Sequence, residues 1–143
     1  MHHLVYTSSA TIPFKNIDVL NLLKCCRERN HRQGITGMLI YIEGNFIEAL
    51  EGEETVIKSL FDAIRKDSRH HDITILFEET FDEDRVVRSF PDWSMSLRNF
   101  HELQVANISG LNTFVQHIAY SGHSFRSPCL CWDLLRTFCE SNH

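Results

Sequence analysis

The chain has 143 residues, of which 43% are hydrophobic and 23% charged, with a formal net charge of −5. That balance fits one soluble folded domain and argues against a disordered chain or a broad polyanion-binding surface. No apolar run approaches the ~20 residues of a membrane helix, and the start, MHHLVYTSS, lacks the basic and apolar regions of a signal peptide, so the expected compartment is the cytoplasm, with neither membrane nor nucleic acid as a partner.

In chain order, His3 to Ser8 reads as a first strand with Leu4 and Tyr6 on one face. Asn16 or Asp18 can cap a helix from Ile17 to Asn30, whose apolar positions Val19, Leu20, Leu23 and Cys26 follow the helical period. Its far end is basic, with Lys24, Arg27, Arg29 and Arg32, and Gln33-Gly34 breaks it. ITGMLIYI is a second strand, joined by a Gly-Asn turn to a third, NFIEALEG, from Asn45 to Gly52, as a hairpin. In that third strand Phe46, Glu48 and Leu50 share one face, and Ile47, Ala49 and Glu51 the other. A carboxylate between a phenylalanine and a leucine is expensive to bury unless it is neutralised, paired or held there for a purpose.

Glu53 to Asp67 forms a second helix with an apolar stripe of Val56, Ile57, Leu60, Phe61 and Ile64, and it runs out in the basic, histidine-rich segment from Arg65 to His71. DITILFEE is a fourth strand, FDEDRVVRSF a charged excursion closed by Pro91, and WSMSLRNF a fifth strand with Trp93, Met95 and Leu97 on one face. The order β-α-β-β-α-β plus one strand is the ferredoxin-like α+β plan. Beyond it, Leu111, Phe114, Val115 and Ile118 form one helical stripe, and Ser127-Pro128 opens a last helix bearing Cys131, Leu134, Leu135 and Phe138. These two C-terminal helices are expected to pack on the sheet, so that residues 101–143 cap the 1–100 domain within one structural unit.

A ferredoxin-like plan does not specify a function. The five cysteines include no CxxC pair and the nine histidines no HExxH, so reduced thiols and no metal are expected. There is no GxGxxG or Walker spacing and no GxSxG elbow. An RNA-recognition module shares the plan, but the middle strand lacks its aromatic pattern and the net charge has the wrong sign. What stands out is a set of residues facing the two helices: Tyr6, Glu48, Trp93 and Met95, with Asn30 at the end of the first helix. They suit a flat aromatic ligand with a polar edge. Tyr6, Trp93 and Met95 also serve as ordinary core residues and Asn30 as a helix terminator; Glu48 fits such a reading worst.

Several segments, in order, resemble the BLUF family, the sensors of blue light using FAD: LVYTS at Leu4–Ser8, GITGMLIY at Gly34–Tyr41, F-x-x-x-LEG at Phe46–Gly52, KDSRHH at Lys66–His71 and WSM at Trp93–Met95. The resemblance covers roughly residues 1–100. It implies a flavin bound non-covalently between the two helices, FAD by resemblance with FMN left open. It also implies a first-strand tyrosine, Tyr6, hydrogen-bonded to a third-strand side chain that contacts the flavin. By the same resemblance Asn30 binds the flavin's polar edge, Trp93 and Met95 pass the signal to the fifth strand, and Arg29, Arg65, Asp67, Arg69 and His70 belong to the cofactor set. The implied activity is light sensing without substrate turnover, relayed to a protein partner or through a homo-oligomer. A flavin-dependent redox enzyme, or a ligand-free interaction or RNA-binding module, is the alternative. The chain departs from the family at one position, where Glu48 occupies the slot of a glutamine. An amide has two donors and an acceptor oxygen; a carboxyl has one donor when protonated and none when ionised.

Overall fold

The computed structural model describes residues 1–82, 88, 90 and 96–99 of the chain. Its elements are β1 (His2–Ala10), α1 (Asn16–Arg32), β2 (Thr36–Ile42), β3 (Asn45–Gly52), α2 (Glu54–Arg65), β4 (His70–Thr80) and β5 (Ser96–Asn99). The sheet order is β4-β1-β3-β2-β5. β1 is antiparallel to both β3 and β4, β2 is antiparallel to β3, and β5 joins β2 in parallel. This is the ferredoxin-like plan with a fifth strand added. The expected pair of C-terminal helices, and Trp93 and Met95, lie outside the described residues.

Local chemistry explains the boundaries. Glu43 and Gly44 both have positive φ (46° and 84°), the geometry of a two-residue type I′ turn, so the β2–β3 hairpin closes with Ile42 opposite Asn45. α2 is capped by Glu53, whose carboxylate accepts the backbone N–H groups of Thr55 and Val56 at 3.0 Å each. For α1 the cap is Lys15, one residue ahead of the expected position. Asp18 acts from inside the first turn, accepting the Lys15 N–H at 3.1 Å. At the far end Gly34, with φ +66°, turns the chain out of the helix, and the Ile35 N–H donates to the Asn30 carbonyl at 2.9 Å.

Both helices cover the same face of the sheet. Leu23 of α1 and Ile57, Leu60 and Phe61 of α2 meet Leu4, Tyr6, Leu39, Phe46 and Leu50 in one core. The stripe of α1 is rotated from the expected one. Val19 and Leu23 are buried and Leu22 and Cys26 pack alongside, whereas Leu20 is 56% exposed. Positions 19, 22, 23 and 26 lie along one helical face, and position 20 falls about 100° away from 19. On the other sheet face Val5, Met38, Ile40, Ile47 and Ala49 are buried as well, so the central strands read as near-continuous apolar runs. β4, at the sheet edge, carries two register shifts against β1 and a positive-φ Asp72. Such irregularities, with its acidic end, discourage further strand pairing.

Gly37 gives a direct test of how closely β2 and β3 approach. A Cβ there would lie 2.1 Å from the Ala49 carbonyl oxygen, whereas one at Gly34 meets open space. Gly37→Ala is expected to cost roughly 3 kcal/mol or more through overpacking against backbone. Gly34→Ala should cost only about 1 kcal/mol, for its left-handed φ. Urea unfolding midpoints of the two variants check the order.

Candidate functional site

Side-chain alternation places Tyr6 and Glu48 directly opposite each other on β1 and β3, both on the face covered by the helices. The Tyr6 hydroxyl donates to Glu48 Oε2. Tyr6 is 4% exposed and Glu48 5%, so the pair is closed off from bulk water. Burial holds the Tyr6 phenol well above its ordinary pKa, and the facing carboxylate adds to the effect. Burial also pushes the Glu48 carboxyl up to about 7, against the opposing pull of the Tyr6 hydrogen bond and of Arg29. The phenol therefore keeps its proton, and the carboxyl changes state near neutrality.

This pair forms the floor of a pocket of about 300 Å³ between α1, α2 and the sheet, at the low end of the size range for small-molecule sites. Its apolar walls are Phe14, Leu22, Leu39, Phe46 and Ile64. Phe14, Tyr41 and Phe46 form an aromatic cluster with ring centroids 4.7–5.8 Å apart. The Tyr41 hydroxyl accepts the Phe14 N–H at 2.9 Å, which pins the loop before α1. From α1, Leu22, Cys26 and Arg29 reach the pocket because they sit on one face of the helix. The Cys26 thiol is pushed up to about 11, chiefly by burial, and stays neutral.

The polar rim comes from the turn after α2. Arg69 folds onto Asp67 with contacts of 2.5–3.0 Å, and that hydrogen bonding lowers the Asp67 carboxyl to about 2. His70 Nε2 meets the Ile64 carbonyl at 2.7 Å and Nδ1 meets the Ser8 hydroxyl at 2.8 Å. A carbonyl only accepts, so the proton sits on Nε2 and the imidazole ties the end of α2 to β1. Beyond Arg29 and Arg69 a second groove of about 530 Å³ opens; it shares Phe14, Leu22 and Cys26 with the pocket and adds Ile12, Asp18, Asn21 and Cys25.

Of the residues singled out in the sequence, the fold gathers Tyr6, Glu48, Arg29, Asp67, Arg69 and His70 around the pocket. Asn30 is fully buried one turn beyond Cys26, on the same face of α1 but outside the pocket lining. Arg65 is exposed and lies over the Phe61 ring, 5.7 Å from its centre, away from the pocket. Trp93 and Met95 lie outside the described residues. Phe14 also lines the pocket, as do Ser8, met in the sequence only within LVYTS, and Cys26, met there only as an apolar helix position. Ser8 shares the alternation of Leu4 and Tyr6, which is the signal that finds it; Phe14 stands in a loop with no period to read.

The BLUF family, described as sensors of blue light using FAD, matches residues 1–96. Among similar proteins, the photoactivated adenylate cyclase subunit alpha of Euglena gracilis is 36% identical over 80 residues, 56% of this chain and 8% of its own length. The chain spans about a tenth of the length of the curated relatives it matches. Among solved structures, BlrB, a BLUF protein in its dark state, superimposes with a TM-score of 0.68 at 30% identity, covering 98% of this chain and 96% of its own. A bacterial light-regulated adenylyl cyclase gives a TM-score of 0.66 at 32% identity, covering 84% of this chain and 34% of its own.

The raised carboxyl of Glu48 makes folding stability depend on pH. Its proton is held more tightly in the folded than in the unfolded chain, so its contribution is fully present below about pH 4.5 and lost as pH rises to about 7. Buried His3, lowered to about 4 chiefly by desolvation, acts in the opposite sense, so the contrast must be made against Glu48→Gln. The ligand-free protein should lose on the order of 3 kcal/mol relative to that variant across the window. Denaturant titrations at several pH values measure it; parallel curves would refute the raised carboxyl.

Proposed function

The chain belongs to the BLUF family, the sensors of blue light using FAD, and on that premise we propose that it is a cytoplasmic blue-light photoreceptor that binds a flavin between α1 and α2. The observation that carries the reading is the buried Tyr6–Glu48 hydrogen bond on the floor of that pocket. The lining suits a flavin: apolar side chains flank the space, and polar groups stand at its edge. Two features favour FAD over FMN. Arg29 and Arg69 stand where the pocket and the second groove meet, suited to a phosphate bridge, and the groove beyond has room for a further ring system. Asn30 is assigned to the flavin's polar edge and Trp93 and Met95 to signal relay, on family resemblance.

When bound, the flavin supplies the light absorption and accepts an electron. The chain supplies the proton chemistry. Tyr6 holds its proton against Glu48 Oε2 in the dark, and a tyrosine that gives up an electron becomes a strong acid whose proton has an acceptor already in place. Only the ionised carboxyl can take that proton. Once protonated, Glu48 has a single O–H donor, which serves either Tyr6 or the pocket but not both. A glutamine serves both partners at once and exchanges them by turning over. The signal then leaves through contacts with a partner protein or a second copy of the chain, without substrate turnover, the sensor lying within residues 1–100.

Difference absorption spectra, dark minus blue-lit, test this. The purified protein should be yellow and show a reversible red shift whose size changes through about pH 7. In Glu48→Gln the shift should be insensitive to pH over that range, and Tyr6→Phe should abolish it in both backgrounds. A yellow protein that shifts only as Glu48→Gln places the flavin correctly and shows the carboxylate to have locked the switch. A protein that takes up no flavin ends the proposal.

A further inference from the structure

β3 carries a second buried carboxylate. Glu51 is three residues beyond Glu48, so it points to the opposite face of the sheet, and it is 0% exposed. It stands in a row with its cross-strand neighbours His3 on β1 and Thr36 on β2. Glu51 Oε2 accepts the Thr36 hydroxyl at 3.2 Å and the backbone N–H of Phe90 at 3.1 Å. Arg88 completes the group, donating to the Thr36 hydroxyl at 2.8 Å, the Glu51 carbonyl at 3.2 Å and the Gly34 carbonyl at 2.8 Å. His3 stands 3.8 Å from the carboxylate, too far for a hydrogen bond.

Arg88 and Phe90 belong to the connection between β4 and β5, and Phe90 is itself 0% exposed. Among the described residues, the groups that bond Arg88 and the Phe90 N–H lie on β2, on β3 and in the turn before β2, the hairpin that also carries Glu48. We propose that Glu51, Thr36 and Arg88 form a latch that holds Arg88 and Phe90 against the β2–β3 hairpin, and that the latch carries the state of Glu48 to β5. The first half stands on the contacts above; the second rests on the photoreceptor reading. Three residues along a strand separate the two carboxylates, so a shift of β3 that accommodates a new hydrogen bond at Glu48 displaces the acceptor of the Phe90 N–H. Hydrogen bonds to charged groups are sensitive to such displacement.

Amide exchange at Phe90, followed by NMR in the flavin-loaded full chain in darkness and under blue light, tests the latch. In Arg88→Met, at a half-buried position that should not block folding, dark exchange at Phe90 should rise roughly tenfold, the scale of one hydrogen bond to a charged group. Its light-minus-dark difference should vanish while the flavin absorption shift persists. Glu51→Gln, which keeps an acceptor oxygen but loses the charge, should give a smaller rise in the same direction. Unchanged dark exchange in Arg88→Met overturns the latch. A rise that leaves the light-minus-dark difference intact makes the contacts structural only and overturns the coupling. Absence of any absorption shift in both the parent and Glu48→Gln sinks the photoreceptor reading instead, and the dark exchange then decides the latch alone.

Discussion

The hydrogen bond from Tyr6 to Glu48 is the contact around which the domain is arranged. It joins two neighbouring strands at the centre of the sheet, and it lies beneath two helices that both pack on that face. A carboxyl there is tolerated because it has a donor facing it and because it can take up a proton instead of bearing an unpaired buried charge. Without the Tyr6 hydroxyl, Glu48 would have to stay neutral over most of the physiological range or open the pocket to water. The site's chemistry and the core's stability therefore meet in the same atoms.

The helices meet the sheet with apolar groups at one end of the shared face and leave space at the other. Leu23, Leu60 and Phe61 share one core with Leu4 and Leu50, and Phe61 lies against the Tyr6 ring with centroids 5.2 Å apart. Towards the β2–β3 turn the aromatic cluster of Phe14, Tyr41 and Phe46 stands back, and the pocket opens between it and the turn after α2. Arg69 meets the pocket already paired with Asp67, whereas Arg29 is the cation that acts directly on the Glu48 carboxyl. The polar rim is thus divided between a nearly neutral pair and one net positive group, an arrangement suited to a ligand whose reacting edge and anionic tail lie on different sides.

β3 sits between β1 and β2 and presents a buried carboxylate to each face of the sheet. On the pocket side Glu48 meets a tyrosine; on the far side Glu51 meets a threonine hydroxyl and the amide of Phe90. Hydrogen bonds have short, directional optima, so a small displacement of β3 bears on the contacts at both of its faces. The two acids are both buried and stand three residues apart on one strand.

The strand and helix order, the hairpin and the placement of Tyr6 and Glu48 on one face were legible in the sequence, because strand alternation and helical period are local properties that sheet and helix geometry enforce, whereas their hydrogen bond was implied only by the family resemblance. The cap of α1 was misplaced by one residue, since Asp18 caps equally well from inside the first turn. Leu20 was misassigned because a helix with apolar residues at 19, 20, 22 and 23 has two plausible stripes, and only docking against β1 and β3 selects one. Arg65 and Arg69 look alike as basic residues after a helix, yet only Arg69 reaches the pocket, because the turn at Asp67 redirects the chain. Glu51 was placed on the correct face but not recognised as buried, as nothing in NFIEALEG tells that both faces of the strand are covered. Composition and period by themselves determined which residues can share a face; which faces are closed, and which charges meet there, was decided only when distant segments packed, because burial and pairing are properties of neighbours that the sequence does not place side by side.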